Sequence, residues 1–268
     1  MQPNLTDVPE TMLWTLHNRA SESMRPDAMM KDPDAERIYR TIQYDYVRSF
    51  GPPDASHAVR SMIFDEAVAP WMQTHPGGTV VELGCGLETQ FQRLDDGEVN
   101  WLCVDVPPAI DIRERFLAPS ARCRHIRLDA FDPAWLDEVD PSRGVFVTAQ
   151  GLFMYFDEAR IRELILTIIA RLPGVEIMFD TIPPWFSQKT LQGYWRTPHY
   201  RSPPMPWGVV LWDVPALVRG WSDKVRHVEL LPYRRFRTFP SVMVPLFARL
   251  PILRRHIPGN VRVYTRPQ

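Results

Sequence analysis

The sequence predicts an α/β protein: a doubly wound, mostly parallel seven-stranded sheet with a helical cover before it and an inserted lid. Three observations carry that prediction. Short apolar runs alternate with helical stretches from residue 79 to residue 182, the order that yields parallel strands joined by right-handed crossovers. The first run, Val80 to Leu83, breaks into the glycine turn Gly84-Cys85-Gly86, where an open parallel sheet binds its ligand. Between Pro183 and Pro215, many of the chain's 27 prolines interleave with Trp185, Trp195, Trp207 and Trp212. Disordered proline-rich segments are poor in aromatics, so this stretch reads as an ordered, loop-heavy lid.

Residues 1–78 read as the helical cover. Glu10 to Ser23 carries Met12, Leu13, Leu16 and Ala20 at helical spacing. Asp32-Pro33 is an N-cap followed by a first-turn proline, and Asp34 and Glu36 complement the helix dipole. That helix is expected to run toward Phe50, where Gly51-Pro52-Pro53 breaks it. Asp54 is placed to cap a third helix with Val59, Met62, Ala67 and Trp71 along one face, and Pro76-Gly77-Gly78 ends the cover. The core, residues 79–182, holds five strands: Thr79 to Leu83, Val99 to Val104, Cys123 to Leu128, Val145 to Ala149 and Val175 to Asp180. Helices are expected between them near Thr89 and over Pro108 to Leu117, Pro133 to Glu138 and Asp157 to Leu172. The lid takes residues 183–212. Residues 213–268 complete the sheet with a helix (Val214 to Trp221), a strand (Lys224 to Leu231), a helix near Val242 to Leu250 and a last strand (Val261 to Thr265).

Composition narrows the function classes. A length of 268 residues with 45% hydrophobic side chains suits one large domain, or one domain plus a lid. A formal net charge of -1 without a long single-sign run argues against nucleic-acid binding. The opening residues MQPNLTDVPE are too polar for a signal peptide. No apolar stretch approaches membrane-spanning length, so a cytoplasmic protein with no membrane partner is expected. Cys85, Cys103 and Cys123 show neither metal-ligand nor disulfide spacing. They are expected to be buried, reduced thiols, and no metal is expected.

The glycine turn is not a dinucleotide fingerprint. The third position is Thr89 rather than glycine, and Glu88 would repel a pyrophosphate. Glu82 is more telling, because a carboxylate inside an apolar strand is costly unless paired. A cationic ligand is one partner, and S-adenosylmethionine carries both a sulfonium and an ammonium. An internal salt bridge is the other reading. Asp105 ends the second strand, where an acid can take both ribose hydroxyls, a device that NAD enzymes share. Asp129, with the Ala130 backbone N–H, suits the amino group and ring nitrogen of an adenine; helix capping by Asp129 stays equally open.

Acid-x-Gly-x-Gly, then Asp105, then Asp129 resemble the Rossmann-like class I S-adenosylmethionine-dependent methyltransferases. "LGCGLETQFQRL" is similar to the "LGxGLDTRxxRL" signature of the leucine carboxyl methyltransferase family. Asp105-Val106-Pro107 resembles that family's Asp-Leu-Pro, and "AQGLFMYF", Ala149 to Phe156, resembles its Glu-Gly-x-x-Met-Tyr. "ETMLWTLHNRASES" and "KDPDAERI" resemble the branch that methylates polyketides, of tetracenomycin type. The resemblance runs from about Glu10 to Asp180 and fades in the lid. It implies that Arg60 pairs with the cofactor's carboxylate, that Gly84 and Gly86 line its methionine part, and that Val106 packs on its adenine. It also implies a Tyr155 hydroxyl aimed at the acceptor. Gln150 stands where many relatives have glutamate, which leaves its backbone to bind the cofactor's ammonium, and Gln90 replaces the usual arginine.

The activity so implied is methyl transfer to a carboxylate of a small aromatic or polyketide-type acceptor, which the lid aromatics suit. A carboxyl group titrates near ~4 and needs no base, whereas a phenol, near ~10, would benefit from one. For a phenol, His199 in "TPHYRSP" is the candidate base. Arg196 and Arg201 are candidates to hold an acidic acceptor. A hydroxyl O-methyltransferase and a cofactor-binding partner protein without catalysis are the alternative readings.

Overall fold

The structure, a computed structural model, describes residues 7–233 and 250–267. Its centre is a seven-stranded sheet in the order β3-β2-β1-β4-β5-β9-β8. The strands are β1 (Thr79–Leu83), β2 (Asn100–Asp105), β3 (Cys123–Arg127), β4 (Val145–Ala149), β5 (Glu176–Thr181), β8 (Val225–Pro232) and β9 (Gly259–Thr265). The first five are mutually parallel, and β9 runs antiparallel between β5 and β8. Every residue of β1 and of β4 is buried. Layers on both faces bury a central parallel strand, so it reads as an unbroken apolar run, and these two strands fall where the sequence predicts them. The strand order reverses between β1 and β4, which opens a crevice beyond their carboxyl ends.

The cover consists of α1 (Asp7–Ser23), α2 (Pro33–Thr41), α3 (Tyr46–Phe50) and α4 (Ser56–Thr74). Leu13, Leu16, Ala20, Ala35, Ile38 and Phe50 form its core. The helix expected to run from Asp32 toward Phe50 is two helices. Ile42 turns extended (φ -77°, ψ 118°), and Asp45 starts α3 by accepting from the Arg48 N–H. The turn lets Ile42 and Tyr46 both bury, with the Tyr46 ring 4.4 Å from that of Tyr39. Asp54 does not occupy the N-cap of α4, which is Ala55. It sits one residue earlier and accepts the Ser56 N–H at 2.9 Å.

Helical segments link the parallel strands, with a short 3₁₀ turn at Phe153–Tyr155 after β4. The others are α5 (Gln90–Leu94), α6 (Pro107–Arg113), a 3₁₀ turn at Pro133–Glu138 where an α-helix was expected, and α7 (Glu158–Arg171). The stretch from 183 to 212 is ordered and holds two elements the sequence reading missed: α8 (Pro184–Leu191) and a hairpin of β6 (Trp195–Thr197) and β7 (Tyr200–Arg201). The hairpin clasps the cover. Thr197 Oγ1 donates to the Arg48 and Ser49 carbonyls at 2.8 Å, and the buried Tyr200 ring lies 4.8 Å from that of Phe50. The tryptophans divide: Trp207 is core, whereas Trp185 and Trp195 are exposed. The helix α9 (Val214–Trp221) matches its prediction. The helix expected near Val242 to Leu250 lies outside the described residues. Among the described residues no helix is long and apolar enough to cross a membrane.

Candidate cofactor and acceptor site

Two adjoining cavities open above the carboxyl ends of the parallel strands and share Thr11, Thr15, Arg60 and Gly151 as walls. The first is lined by Arg60, Glu82, Gly84, Asp105, Val106, Asp129, Ala130 and Gln150, so the structure brings together eight of the nine expected cofactor residues. Arg60 stands on the wall between the two cavities, and Tyr155 lines the second.

Glu82 is buried at the end of β1. Its Oε2 accepts from Trp101 Nε1 at 3.2 Å, and its Oε1 has no partner. No described basic side chain pairs with it, so the internal salt bridge is not formed. Burial, aided by the neighbouring Cys103, pushes its carboxyl well above the ordinary range. Gly84 (φ +66°) needs glycine twice over, since a Cβ there would stand 2.9 Å from Leu152 Cδ1. Gly86 does not line the first cavity. Its N–H instead donates to Asp105 Oδ2 at 2.8 Å, while the Val106 N–H donates to Asp105 Oδ1 at 2.8 Å. Each oxygen therefore keeps a lone pair for a hydroxyl. Asp129 accepts the Phe131 N–H at 3.0 Å, so it makes the local turn and lines the cavity as well. Phe156, which the sequence reading missed, lines the same cavity with its ring 4.2 Å from that of Phe131. Gln150 leaves Oε1 unpartnered, and its Nε2 lies 3.5 Å from Gln90 Oε1. Gln90 in turn donates to Asp65.

Arg60 Nη1 donates to Asp180 Oδ2 at 2.9 Å, and Asp180 Oδ1 accepts the Gly151 N–H at 2.6 Å. A Cβ on Gly151 would lie 2.8 Å from Arg60 Nη1, so the guanidinium packs flush on backbone. His199 stands apart from both cavities. It lies on the exposed turn of the β6–β7 hairpin, which is fastened to α3. Arg196 and Arg201 line neither cavity either. Arg196 reaches Asp54 at 3.4 Å and lies over the Trp14 ring.

The sequence reading also missed what holds the glycine turn. Glu88, expected only as a repulsive charge, is buried between Arg19 of α1 (2.6 Å) and Arg93 of α5 (2.8 Å). Burial raises its carboxyl, but the two guanidinia prevail and hold it near about 2. Arg19 and Arg93 also meet Asp32, the N-cap of α2. Below the turn, Arg113 donates to the Gly86 and Glu88 carbonyls at 3.1 and 2.6 Å. It also reaches Cys103 Sγ and His125 Nε2, both at 3.3 Å. Cys103, Cys123 and His125 converge within 4.8 Å, a cluster that sequence spacing hid, and the guanidinium occupies its edge. The three cysteines are buried and free, as expected.

The leucine carboxyl methyltransferase family model matches residues 12–169, from α1 through α7. The chain belongs to that family. It is 35% identical over 184 residues to the tetracenomycin polyketide synthesis O-methyltransferase TcmP of Streptomyces glaucescens, covering 68% of each chain. It is 29% identical over 198 residues to the S-adenosyl-L-methionine-dependent methyltransferase dpfgK of Gibberella zeae, covering 66% of each. In fold it resembles an S-adenosylmethionine-dependent methyltransferase from Anabaena variabilis, at a TM-score of 0.50 and 12% identity, over 78% of this chain and 85% of that one. This leucine carboxyl methyltransferase family member is an S-adenosylmethionine-dependent methyltransferase. Its residues fit that cofactor: the unpartnered buried oxygens of Glu82 and Gln150 suit a cationic amino-acid end.

Proposed function

We propose that the chain transfers a methyl group from S-adenosylmethionine to the carboxylate of a small, flat, aromatic or polyketide-type acceptor, giving a methyl ester. The observation that supports this reading best is the chemistry of the second cavity. Apolar side chains dominate its wall, among them Trp14, Met154, Ile182, Phe186 and Met205. Among the described residues, the histidine and tyrosines on its wall are poor bases at neutral pH. Burial, with Arg60 beside it, lowers His57 to about 3. Burial raises Tyr155 to about 12 and pushes Tyr233 up as well. Asp180 is engaged by Arg60 and the Gly151 N–H. A carboxylate is already ionised about two pH units above its ordinary ~4 and asks nothing of these groups, whereas a phenol would need a base. The relative from Streptomyces glaucescens is named for polyketide O-methylation, which favours an acceptor of that class.

When bound, the cofactor supplies an electrophilic methyl group on its sulfonium. The protein's part is alignment and exclusion of water. In this reading Glu82, Gly84 and Gln150 receive the amino-acid end, and Arg60 offers a guanidinium to its carboxylate. Asp105 takes the ribose hydroxyls. Val106, Asp129, Ala130 and Phe156 receive the adenine, and Tyr155 faces the acceptor. The cover contributes to both cavities, and the 183–212 segment walls the second through Pro183, Trp185, Phe186 and Met205. The test is methyl transfer from labelled cofactor to a panel of polycyclic aromatic carboxylic acids and their matched phenols. A base-labile methyl ester is the expected product. Methylation of the phenols alone, giving ethers, would overturn the carboxylate reading. Cofactor binding without turnover on any acceptor would favour a partner protein.

A further inference from the structure

We infer that Asn18 locks His57 as its Nε2–H tautomer, making His57 a fixed hydrogen-bond donor on the acceptor cavity that selects a carboxylate over a hydroxyl group. This deepens the function proposed above and rests on it. Asn18, on α1 and 39 residues before His57, is almost fully buried. The Asp54 backbone N–H donates to Asn18 Oδ1 at 3.2 Å, and that bond decides which end of the amide is oxygen. The other end is therefore NH₂. It donates one hydrogen to Asp54 Oδ1 at 3.1 Å and faces His57 Nδ1 at 2.8 Å with the second. An amide nitrogen accepts no hydrogen bond, so Nδ1 must be the acceptor and the imidazole hydrogen sits on Nε2.

The surroundings keep this state neutral. Burial disfavours the imidazolium, and the charged groups around the ring are Arg60 from its own helix, Arg19 from α1, Arg196 from β6 and Asp54. Three cations outnumber one carboxylate, and that carboxylate is shared with Asn18 and Ser56. The Trp14 ring lies edge-on to the imidazole, with centroids 5.4 Å apart. His57 lines the second cavity in company with Arg60. Both offer hydrogens, and neither is free to accept a proton from an acceptor. A site arranged to donate favours an anionic oxygen and gives a hydroxyl no route for its proton. Asn18 is then a positioning residue, acting through the histidine.

Two measurements test this, with S-adenosylhomocysteine in the cofactor site. The first is long-range ¹H–¹⁵N correlation of ¹⁵N-histidine-labelled protein, with His57 assigned by the signal lost in His57→Gln. A single neutral Nε2–H tautomer is expected from about pH 5.5 to 8.5, well above the titration of so depressed a histidine. Asn18→Asp places an acceptor opposite Nδ1 and is expected to move the hydrogen there. An Nδ1–H or imidazolium signal in the wild type would overturn the inference. The second is fluorescence titration with anthracene-2-carboxylate and with 2-hydroxyanthracene. His57→Leu should weaken the carboxylate roughly ten- to hundredfold, the range for a hydrogen bond to a charged group, and leave the hydroxyl compound nearly unchanged. His57→Gln, which keeps an N–H near the Nε2 position, should recover much of that loss. Wild-type methyl transfer to anthracene-2-carboxylate should be flat with pH, and Asn18→Asp should introduce a limb. Equal carboxylate affinity in wild type and His57→Leu would refute the donor role while leaving the carboxylate function standing. Preference of the wild type for 2-hydroxyanthracene would refute both.

Discussion

Replacing Arg19 with methionine should unfasten the glycine turn. Methionine keeps much of the apolar stem of Arg19 but removes a fully buried guanidinium. That group donates to Glu88 Oε1 at 2.6 Å, the Leu87 carbonyl at 2.6 Å, Thr89 Oγ1 at 3.0 Å and Asp32 Oδ2 at 3.2 Å. Glu88 and Asp32 would then share Arg93. Removing one partner of a buried pair costs about 3–5 kcal/mol, because the remaining charge stays out of water. The Glu88 carboxyl gives a smaller figure for Arg19's own share. Glu88 is held near about 2 against an ordinary 4.5, which corresponds to about 3 kcal/mol at neutral pH, divided between Arg19 and Arg93. The sign follows from the lowered value. This stability is fully present above 4.5 and drains away as the pH falls toward 2. Urea unfolding at pH 7 should show the Arg19→Met variant about 3–5 kcal/mol less stable than the wild type. Across the acid window the wild type should lose more stability than the variant. A variant within about 1 kcal/mol of the wild type at pH 7, below the usual cost of a broken buried pair, would refute the assignment of the turn's rigidity to this network.

Binding S-adenosylmethionine should release protons wherever Glu82 is still protonated in the free protein, because burial pushes its carboxyl up and a cation beside its Oε1 favours ionisation. Calorimetry in buffers of different ionisation heats should show that release, and Glu82→Gln should abolish it; buffer-independent heats in the wild type would contradict it. Gly84→Ala should lower both the melting temperature and cofactor affinity, since it forces a left-handed alanine (φ +66°) against Leu152; unchanged melting would show that the turn relaxes freely. His199→Ala, on an exposed turn that lines neither cavity, should leave single-turnover rates unchanged across the neutral and mildly basic range. A basic limb lost in that variant would restore His199 as a base.

The parallel core was legible because its information is local. β1 and β4 are short apolar runs bounded by turn residues, and the Asp32-Pro33 pair starts α2 as its chemistry demands. The wall of the first cavity was legible for the same reason: Glu82, Gly84 and Asp105 stand at strand ends, and alternation alone locates strand ends. What escaped depends on partners distant in sequence. Nothing near Glu88 announces Arg19, 69 residues earlier, and so a cradle looked like a repulsion. His57 acquires its chemistry from Asn18, whereas His199 had only its place among lid residues to recommend it. The tryptophans divide in a way proline-rich sequence does not reveal: Trp185 lines the second cavity, Trp207 folds into the core and Trp195 lies on the surface.

The sheet order carries a consequence for synthesis. Residues 259–265 leave the ribosome after 225–232, yet they hydrogen-bond on the inner side of that strand, against β5. The five parallel strands and the glycine turn therefore emerge first, and can pair while one rim of the sheet still has open backbone groups. That rim belongs to Glu176–Thr181, a mostly buried strand with nothing on its outer side until the last strand arrives. An unpaired strand edge recruits other chains. A ribosome paused between residues 232 and 259 would thus display a nascent chain with its methyl-donor crevice already shaped and a sticky flank beside it. Slow codons or a hold-up in that interval should raise aggregation more than the same delay placed earlier.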